Sequence, residues 1–106
     1  MATGDITGYR LTPKAEHDLE AIWRTSAETW SAAQADIYID TLIATIETIV
    51  AMPTLARERG EFDPLVRIHP TAEHVIIHLI YGDVIVVIRI LGGRQNLRAM
   101  LAVIDA

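Results

Sequence analysis

Three histidines within ten residues, His69, His74 and His78, are the side chains of this chain best suited to bind a metal ion. In a helix His74 and His78 would share one face, but in a strand four residues span about 13 Å, which is too far for one ion. Zinc sites need three or four ligands, and no cluster of carboxylates accompanies these histidines. We therefore interpret the three histidines as strand residues with polar side-chain ends, and not as metal ligands. We expect His78 to lie at a binding face.

Arginines are the second group of residues that could bind a ligand. Residues 64–106 contain four of them, Arg67, Arg89, Arg94 and Arg98, against three acidic residues, whereas residues 1–63 contain eleven acidic and five basic residues. Arg89 lies within the apolar run Val-Val-Ile-Arg-Ile-Leu, where an unpaired charge would be costly to bury. Two interpretations stay open: an internal ion pair with a carboxylate, or a cluster that grips phosphate or the carboxylates of a partner.

No arrangement of residues indicates catalysis. Gly92-Gly93 lacks the spacing and the following Lys-Ser/Thr of a phosphate-binding loop, so we expect it to let the backbone leave a sheet. Neither a Ser/His/Asp order nor a pair of carboxylates stands out. The residue types alone do not indicate an enzyme, and no cofactor is expected.

The element that must position these residues is a predicted hairpin from His74 to Arg94. Two apolar runs rich in β-branched residues flank Gly82-Asp83, which suits a tight two-residue turn because glycine accepts positive φ. This turn pairs Tyr81–Val84, Leu79–Val86, Ile77–Ile88 and Val75–Ile90 on one face, which we expect to be core. The other face, expected to be the docking floor for a partner, pairs Ile80–Ile85, His78–Val87, Ile76–Arg89 and His74–Leu91.

The remaining elements follow from local signals along the chain. Gly8–Leu11 is an expected edge strand, and Thr12-Pro13 predicts the start of a helix, with a break at Trp30-Ser31. A second helix should run from Ser31 to about Met52-Pro53, and its wide apolar stripe is explained either by contact with both a helix and the sheet or by a partner. Residues 54–64 are a predicted loop, residues 65–69 a strand ended by proline, and Asn96 a cap of a short C-terminal helix. The order predicts an α+β fold: an N-terminal strand, a helical hairpin and a three-stranded meander in an antiparallel sheet.

Composition limits the classes of function. The 106 residues fit one domain, and a net charge of −5 argues against direct binding of nucleic acid. Hydrophobic residues make up 51% of the chain, which predicts that some apolar surface contacts a partner. There is no cysteine, no apolar N-terminal stretch and no membrane-length apolar run, so we expect a soluble, cytoplasmic protein.

The chain also resembles the ParE toxins of type II toxin–antitoxin (plasmid-stabilisation) modules, within the RelE/ParE superfamily. The resemblance spans residues 9 to about 101 and rests on the joint order of several short motifs. These are Tyr9-Arg10-Leu11-Thr12-Pro13-Lys14-Ala15, Asp18-Leu19-x-x-Ile22-Trp23, Trp30 with Gln34-Ala35 and Tyr38, Pro53, Arg67, and Arg89-Ile90-Leu91-x-Gly93-Arg94. The chain departs from the family pattern at His78, where many members have Tyr, at Gly92, where His is frequent, and at Gln95-Asn96, where Met-Asp is common.

The resemblance implies a toxin neutralised by a ParD-like antitoxin whose C-terminal segment occupies a groove between sheet and helices, forming a hetero-oligomer. We expect this antitoxin-binding or target-binding groove to contain Arg67, His74, His78, Arg89, Arg94 and Arg98. The acidic residues of the partner segment should lie toward Arg67, Arg89 and Arg94. ParE-like members poison DNA gyrase, whereas RelE relatives cut ribosome-bound mRNA. The acidic charge balance favours the non-enzymatic gyrase poison, because ribosome docking suits a basic protein. The alternatives are a RelE-type endonuclease and an inactive antitoxin-binding module.

Overall fold

The computed structural model describes residues 5–94. In chain order these residues form β1 (Gly8–Leu11), α1 (Pro13–Thr29), α2 (Ala32–Ala51), β2 (Glu58–Arg59), β3 (Val66–Thr71), β4 (His74–Tyr81) and β5 (Val84–Gly92). The predicted α+β class is confirmed, with a helical hairpin followed by an antiparallel meander of β3, β4 and β5. The predicted C-terminal helix from Asn96 lies outside the described residues.

Side-chain caps set both helix starts. The Thr12 hydroxyl accepts a hydrogen bond from the Ala15 N–H at 3.1 Å, and Pro13 occupies the first helical turn, where its missing N–H leaves no bond unmade. The Ser31 hydroxyl accepts from the Gln34 N–H at 3.0 Å in the same way. The helix starts predicted at Thr12-Pro13 and at Ser31 are confirmed.

The sheet has five strands in the order β1-β5-β4-β3-β2. Three details of the prediction were wrong. β1 runs parallel to β5, so the sheet is mixed, and the predicted loop 54–64 contains the two-residue strand β2. β3 also continues through Pro70 to Thr71. Proline is tolerated there because β2 pairs only with Val66 and Arg67, so among the described residues no strand borders β3 beside Pro70.

The central hairpin turns at Gly82, whose φ of +63° requires the freedom of glycine. The four predicted pairs next to the turn are confirmed: Tyr81–Val84, Ile80–Ile85, Leu79–Val86 and His78–Val87. The four outer pairs were each wrong by one residue, and the structure instead pairs Ile77–Arg89, Ile76–Ile90, Val75–Leu91 and His74–Gly92.

A β-bulge at Ile88 causes this shift, because it adds one residue to β5 between the partners of Ile77 and His78. The bulge lies where β1 ends and α1 begins. The Thr12 N–H donates to the Val87 carbonyl at 3.0 Å, and the Thr12 hydroxyl donates to the Ile88 carbonyl at 2.8 Å. The residue that caps α1 therefore also binds the backbone of the bulge.

The main core lies between the two helices and one face of the sheet. Its fully buried residues are Ala15, Leu42, Ile46 and Ile49 from the helices and Ile76, Ile85, Val87 and Ile90 from β4 and β5. This is the face that was predicted to be a docking floor, and that prediction was wrong over most of its area because the chain's own helices cover it. Ile39, Ile43 and Val50 pack against the same cluster, so contact with both helix and sheet explains the wide stripe of α2.

The opposite face of the sheet is also apolar. Val66, Ile77, Val86, Ile88 and Leu91 form a second buried cluster there, with Phe62 packed against it from the β2–β3 connection. A hairpin that is apolar on both faces carries no alternation that tells which face the helices cover. Within residues 5–94, neither helix combines the length and the apolarity needed to cross a bilayer.

Candidate functional site

A cavity of the described chain lies between α1, the start of α2 and the outer end of the β4–β5 hairpin. Its volume is about 470 Å³. We call it the Trp30 groove; it is lined by Asp18, Ala21, Ile22, Thr25, Ser26, Thr29, Trp30, Tyr38, Glu73, His74, Ile90, Leu91 and Gly92. A neighbouring depression shares Thr29, Trp30 and Tyr38 and adds Ser31 and Gln34, so the groove continues over the turn between the helices.

Trp30 borders the groove because α1 stops at Thr29. Its N–H still donates to the Ser26 carbonyl at 2.9 Å, but its backbone leaves the helical conformation, and Ser31 then starts α2. The helix break predicted at Trp30-Ser31 is confirmed. The Trp30 side chain is 66% exposed, the second largest exposure among the described large hydrophobic residues. An exposed indole beside a cavity is typical of a binding surface.

Tyr38 and His74 join α2 to β4 at the floor of the groove. The Tyr38 hydroxyl lies 2.6 Å from the His74 Nδ1 and accepts a hydrogen bond from the Glu73 N–H at 3.3 Å. The tautomer of His74 decides which of the two side chains donates in the Tyr38–His74 bond. Burial favours the neutral form of both groups, because it raises the pKa of Tyr38 and lowers the pKa of His74, while the negative charges of Glu73 and Asp18 partly oppose the lowering at His74.

Asp18 and Arg89 form an ion pair beside the groove. The Asp18 carboxylate accepts from the Arg89 Nε at 2.8 Å, from a second guanidinium nitrogen at 3.0 Å, and from the Ile90 N–H at 3.0 Å. Both side chains are mostly buried, with 13% of Arg89 and 15% of Asp18 exposed. The hydrogen bond that the guanidinium donates to the Asp18 carboxylate is the main cause of a raised pKa at Arg89. Of the two interpretations of Arg89, the internal ion pair is the one observed.

Arg67 and His78 lie away from the Trp30 groove. They face each other across β3 and β4, and Arg67 donates to the Ala56 carbonyl at 2.6 Å in the connection after α2. Arg67 lines a smaller pocket of about 270 Å³, with Glu58, Leu65, Leu79, Ile80 and Tyr81. His78 is 1% exposed, and desolvation lowers its pKa to about 4, so it is neutral at pH 7.

The six predicted groove residues therefore do not form one cluster. His74 lines the Trp30 groove and Arg89 lies beside it, whereas Arg67 and His78 are in the second region. Arg94 is exposed in the turn after β5, and Arg98 lies outside the described residues. Over residues 5–94, no three His, Cys, Asp or Glu side chains converge in a way that could bind a metal ion.

Sequence reasoning missed four residues that shape the site: Asp18, Trp30, Tyr38 and Glu73. In the structure Asp18 contacts the end of β5, where its carboxylate accepts from Arg89 and from the Ile90 N–H. In the sequence analysis Asp18, Trp30 and Tyr38 were identified only as parts of the family motifs, and Trp30 also as a helix break. The signal that could have found Trp30 is an aromatic residue at a helix end, where no neighbouring turn can bury it.

Comparison with known proteins identifies the family. The family described as "ParE toxin of type II toxin-antitoxin system, parDE" matches residues 9–97. Toxin ParE1 of Caulobacter vibrioides is 33% identical over 93 residues, covering 88% of this chain and 96% of that protein. Toxin ParE of Escherichia coli is 33% identical over 98 residues, covering 92% and 95% respectively.

A solved structure supports the fold. It is described as "Chromosomal ParDE TA system from P. aeruginosa" and superposes with a TM-score of 0.71 at 18% identity, covering 84% of this chain and 98% of that chain. At this identity the superposition shows a shared fold alone. The family match over residues 9–97 and two relatives at 33% identity agree with it. The chain belongs to the ParE toxin family of type II toxin–antitoxin systems.

Proposed function

We propose that this protein arrests bacterial growth in the cytoplasm by inhibiting DNA gyrase without catalysing a reaction, and that a ParD-like antitoxin neutralises it. The observation that carries this proposal is the family match, which spans residues 9–97. The net charge of −5 supports a protein target over the ribosome, because docking on RNA is driven by positive charge. Growth arrest on induction of this gene alone, relieved by co-expression of the neighbouring antitoxin gene, is the first test.

The geometry gives little support to the alternative of a RelE-type endonuclease. Cleavage through the 2′-hydroxyl needs an acid and a base that face the same phosphate. His78 is buried and neutral, whereas Tyr81 is 70% exposed and lies three positions along β4, on the other face of the strand. His74 directs its Nδ1 at Tyr38. These residues do not converge on one reactive point.

Two biochemical assays separate the gyrase and ribosome hypotheses. We expect the purified chain to inhibit DNA supercoiling by gyrase and to leave ribosome-bound mRNA intact. Cleavage of mRNA without gyrase inhibition would overturn the proposed target. If neither occurs and induction causes no growth arrest, the third interpretation, an inactive antitoxin-binding module, is correct.

We also propose that the C-terminal segment of the antitoxin lies in the Trp30 groove. The exposed indole and the cavity volume support this position. Trp30→Ala should weaken antitoxin binding by roughly tenfold or more, since exposed aromatic residues dominate such interfaces. Leu55→Ala is the matched control, because Leu55 is 59% exposed and does not line the groove. Equal binding by both variants, measured by calorimetry, would exclude the groove.

A further inference from the structure

The rim of the Trp30 groove carries an unpaired negative charge. Glu73 is exposed, and although its backbone bonds Tyr38 and Gly93, its carboxylate makes no ion pair among the described residues. The Glu73 charge acts within the groove, because it raises the pKa of the lining residue His74 and so opposes the lowering of that pKa by burial. A carboxylate at this position attracts a cation.

The end of α1 adds to the negative potential. Ser26, Thr29 and the cap residue Trp30 line the groove, and the last turn of α1 contains no basic residue. A helix C-terminus has a partial charge of roughly −0.5, which attracts positively charged groups within about one turn. No lysine or arginine in the last turn of α1 neutralises that partial charge.

The aromatic wall suits the same kind of ligand. Trp30 is 66% exposed, and Tyr38 lies beside it in the groove. Indole is the aromatic ring that binds cations best, and an arginine or lysine side chain can also lay its apolar stem along the lining residues Ile22 and Leu91. One side chain would thus contact both the apolar and the acidic parts of the groove.

Neither of the two nearby arginines supplies a free positive charge to the lining of the groove. The Arg89 guanidinium is bonded by Asp18 through two of its nitrogens, so the two charges neutralise each other. Arg94 follows Gly93, whose N–H donates to the Glu73 carbonyl at 2.9 Å, but Arg94 makes no ion pair with a described carboxylate. Arg94 does not line the groove, so Glu73 is the lining carboxylate that stays available to a cation of a ligand.

We propose that the Trp30 groove is a binding site for a cationic side chain, arginine or lysine, that a partner protein segment inserts between Trp30 and Glu73. This inference rests on the proposed function in taking the antitoxin segment as the occupant. It reverses the charge expected from the sequence, which placed acidic residues of the partner against Arg67, Arg89 and Arg94. Charge complementarity with Glu73 requires the inserted side chain of the partner to be basic.

The test uses two small probes that differ only in charge, N-acetyl-arginine amide and its neutral isostere N-acetyl-citrulline amide. Each is titrated into the ¹⁵N-labelled full chain while the Trp30 indole N–H and the Glu73 amide are followed by NMR. We expect the arginine probe to shift both signals and to bind roughly tenfold more tightly than the citrulline probe. Equal affinities of the two probes would overturn the proposal. Tighter binding of an acidic third probe, N-acetyl-glutamate amide, would also overturn it.

Variants assign the preference to the groove. Glu73→Gln should bring the arginine-to-citrulline ratio close to one, and Trp30→Ala should weaken the binding of both probes. Glu47→Gln is the matched control, because it makes the same change in net charge at an exposed position of α2 outside the groove. An unchanged ratio in Glu73→Gln would refute the assignment. Growth arrest and antitoxin binding are measured separately, so failure of the probes leaves the proposed function standing.

Discussion

Removing the Arg89 side chain tests whether the Asp18–Arg89 ion pair supports the fold. Arg89→Ala would leave the Asp18 carboxylate, which is 15% exposed, with the Ile90 N–H as its one remaining partner within residues 5–94. Breaking a buried pair by deleting one partner costs about 3–5 kcal/mol. Because the remaining exposure lets water reach the carboxylate, we expect a loss near the lower end, about 3 kcal/mol. This corresponds to a melting temperature roughly 10–20 °C lower.

A double-mutant cycle isolates the pair from other effects of the substitution. Asp18→Asn keeps an oxygen that can accept from the Ile90 N–H but removes the charge that faces Arg89. Arg89→Met keeps much of the side-chain length without the charge. We expect a coupling free energy of about 1.5–3 kcal/mol between the two positions, because residues in direct contact are not additive. The double variant should therefore lose less free energy of unfolding than the sum of the losses in the two single variants.

The measurement is urea unfolding at pH 7, followed by the fluorescence of Trp23 and Trp30. Arg59→Ala is the control, because the Arg59 guanidinium lies 2.6 Å from Glu61 in a pair that is far more exposed than the Asp18–Arg89 pair. Exposed pairs contribute little to stability even when the distance is short. An equal shift of the unfolding midpoint in Arg59→Ala and Arg89→Ala would refute the reasoning, since distance would then matter and burial would not.

Three further predictions concern stability. Acidification from pH 7 to 5 should lower the free energy of unfolding by roughly 2 kcal/mol through His78. The native pKa of His78, about 4, lies below the ordinary 6.5, so the unfolded chain binds the proton first as the pH falls. His78→Gln should flatten this pH dependence in urea titrations. Ala72→Gly should raise the free energy of unfolding by about 0.5–1 kcal/mol, since Ala72 has a φ of +50°; a loss on calorimetry would contradict this. Ile46→Ala, at a fully buried position, should cost about 3 kcal/mol, whereas Ile37→Ala, 57% exposed, should cost under about 1 kcal/mol in the same assay.

Local chemistry made the helix and strand positions predictable. Thr12-Pro13 and Ser31 start helices through bonds that reach only three residues ahead, and Gly82 supplies the positive φ of the hairpin turn. Such signals act within a few residues, so they are readable without the fold. β2 was missed because two residues carry no periodic pattern, and its pairing with β3 is what defines it.

The candidate site depended on contacts that are distant in sequence. Asp18 bonds Arg89 across 71 positions, and Tyr38 bonds His74 across 36. The sequence left open whether Arg89 pairs internally, because many carboxylates were available. Only the packing of α1 against β5 selects Asp18, and this pairing removes Arg89 from the set of cations free to bind a partner.

The sequence by itself determined the α+β class, the helical hairpin, the turn at Gly82 and the resemblance to the ParE family, because each depends on local spacing or on the order of short motifs. The tertiary structure decided the register beyond the bulge at Ile88, the face that the helices cover and the residues that line the Trp30 groove. The physical reason is that both faces of the β4–β5 hairpin are apolar. Only docking of the helices, with Thr12 bound to the bulge and Asp18 bound to Arg89, distinguishes one face from the other.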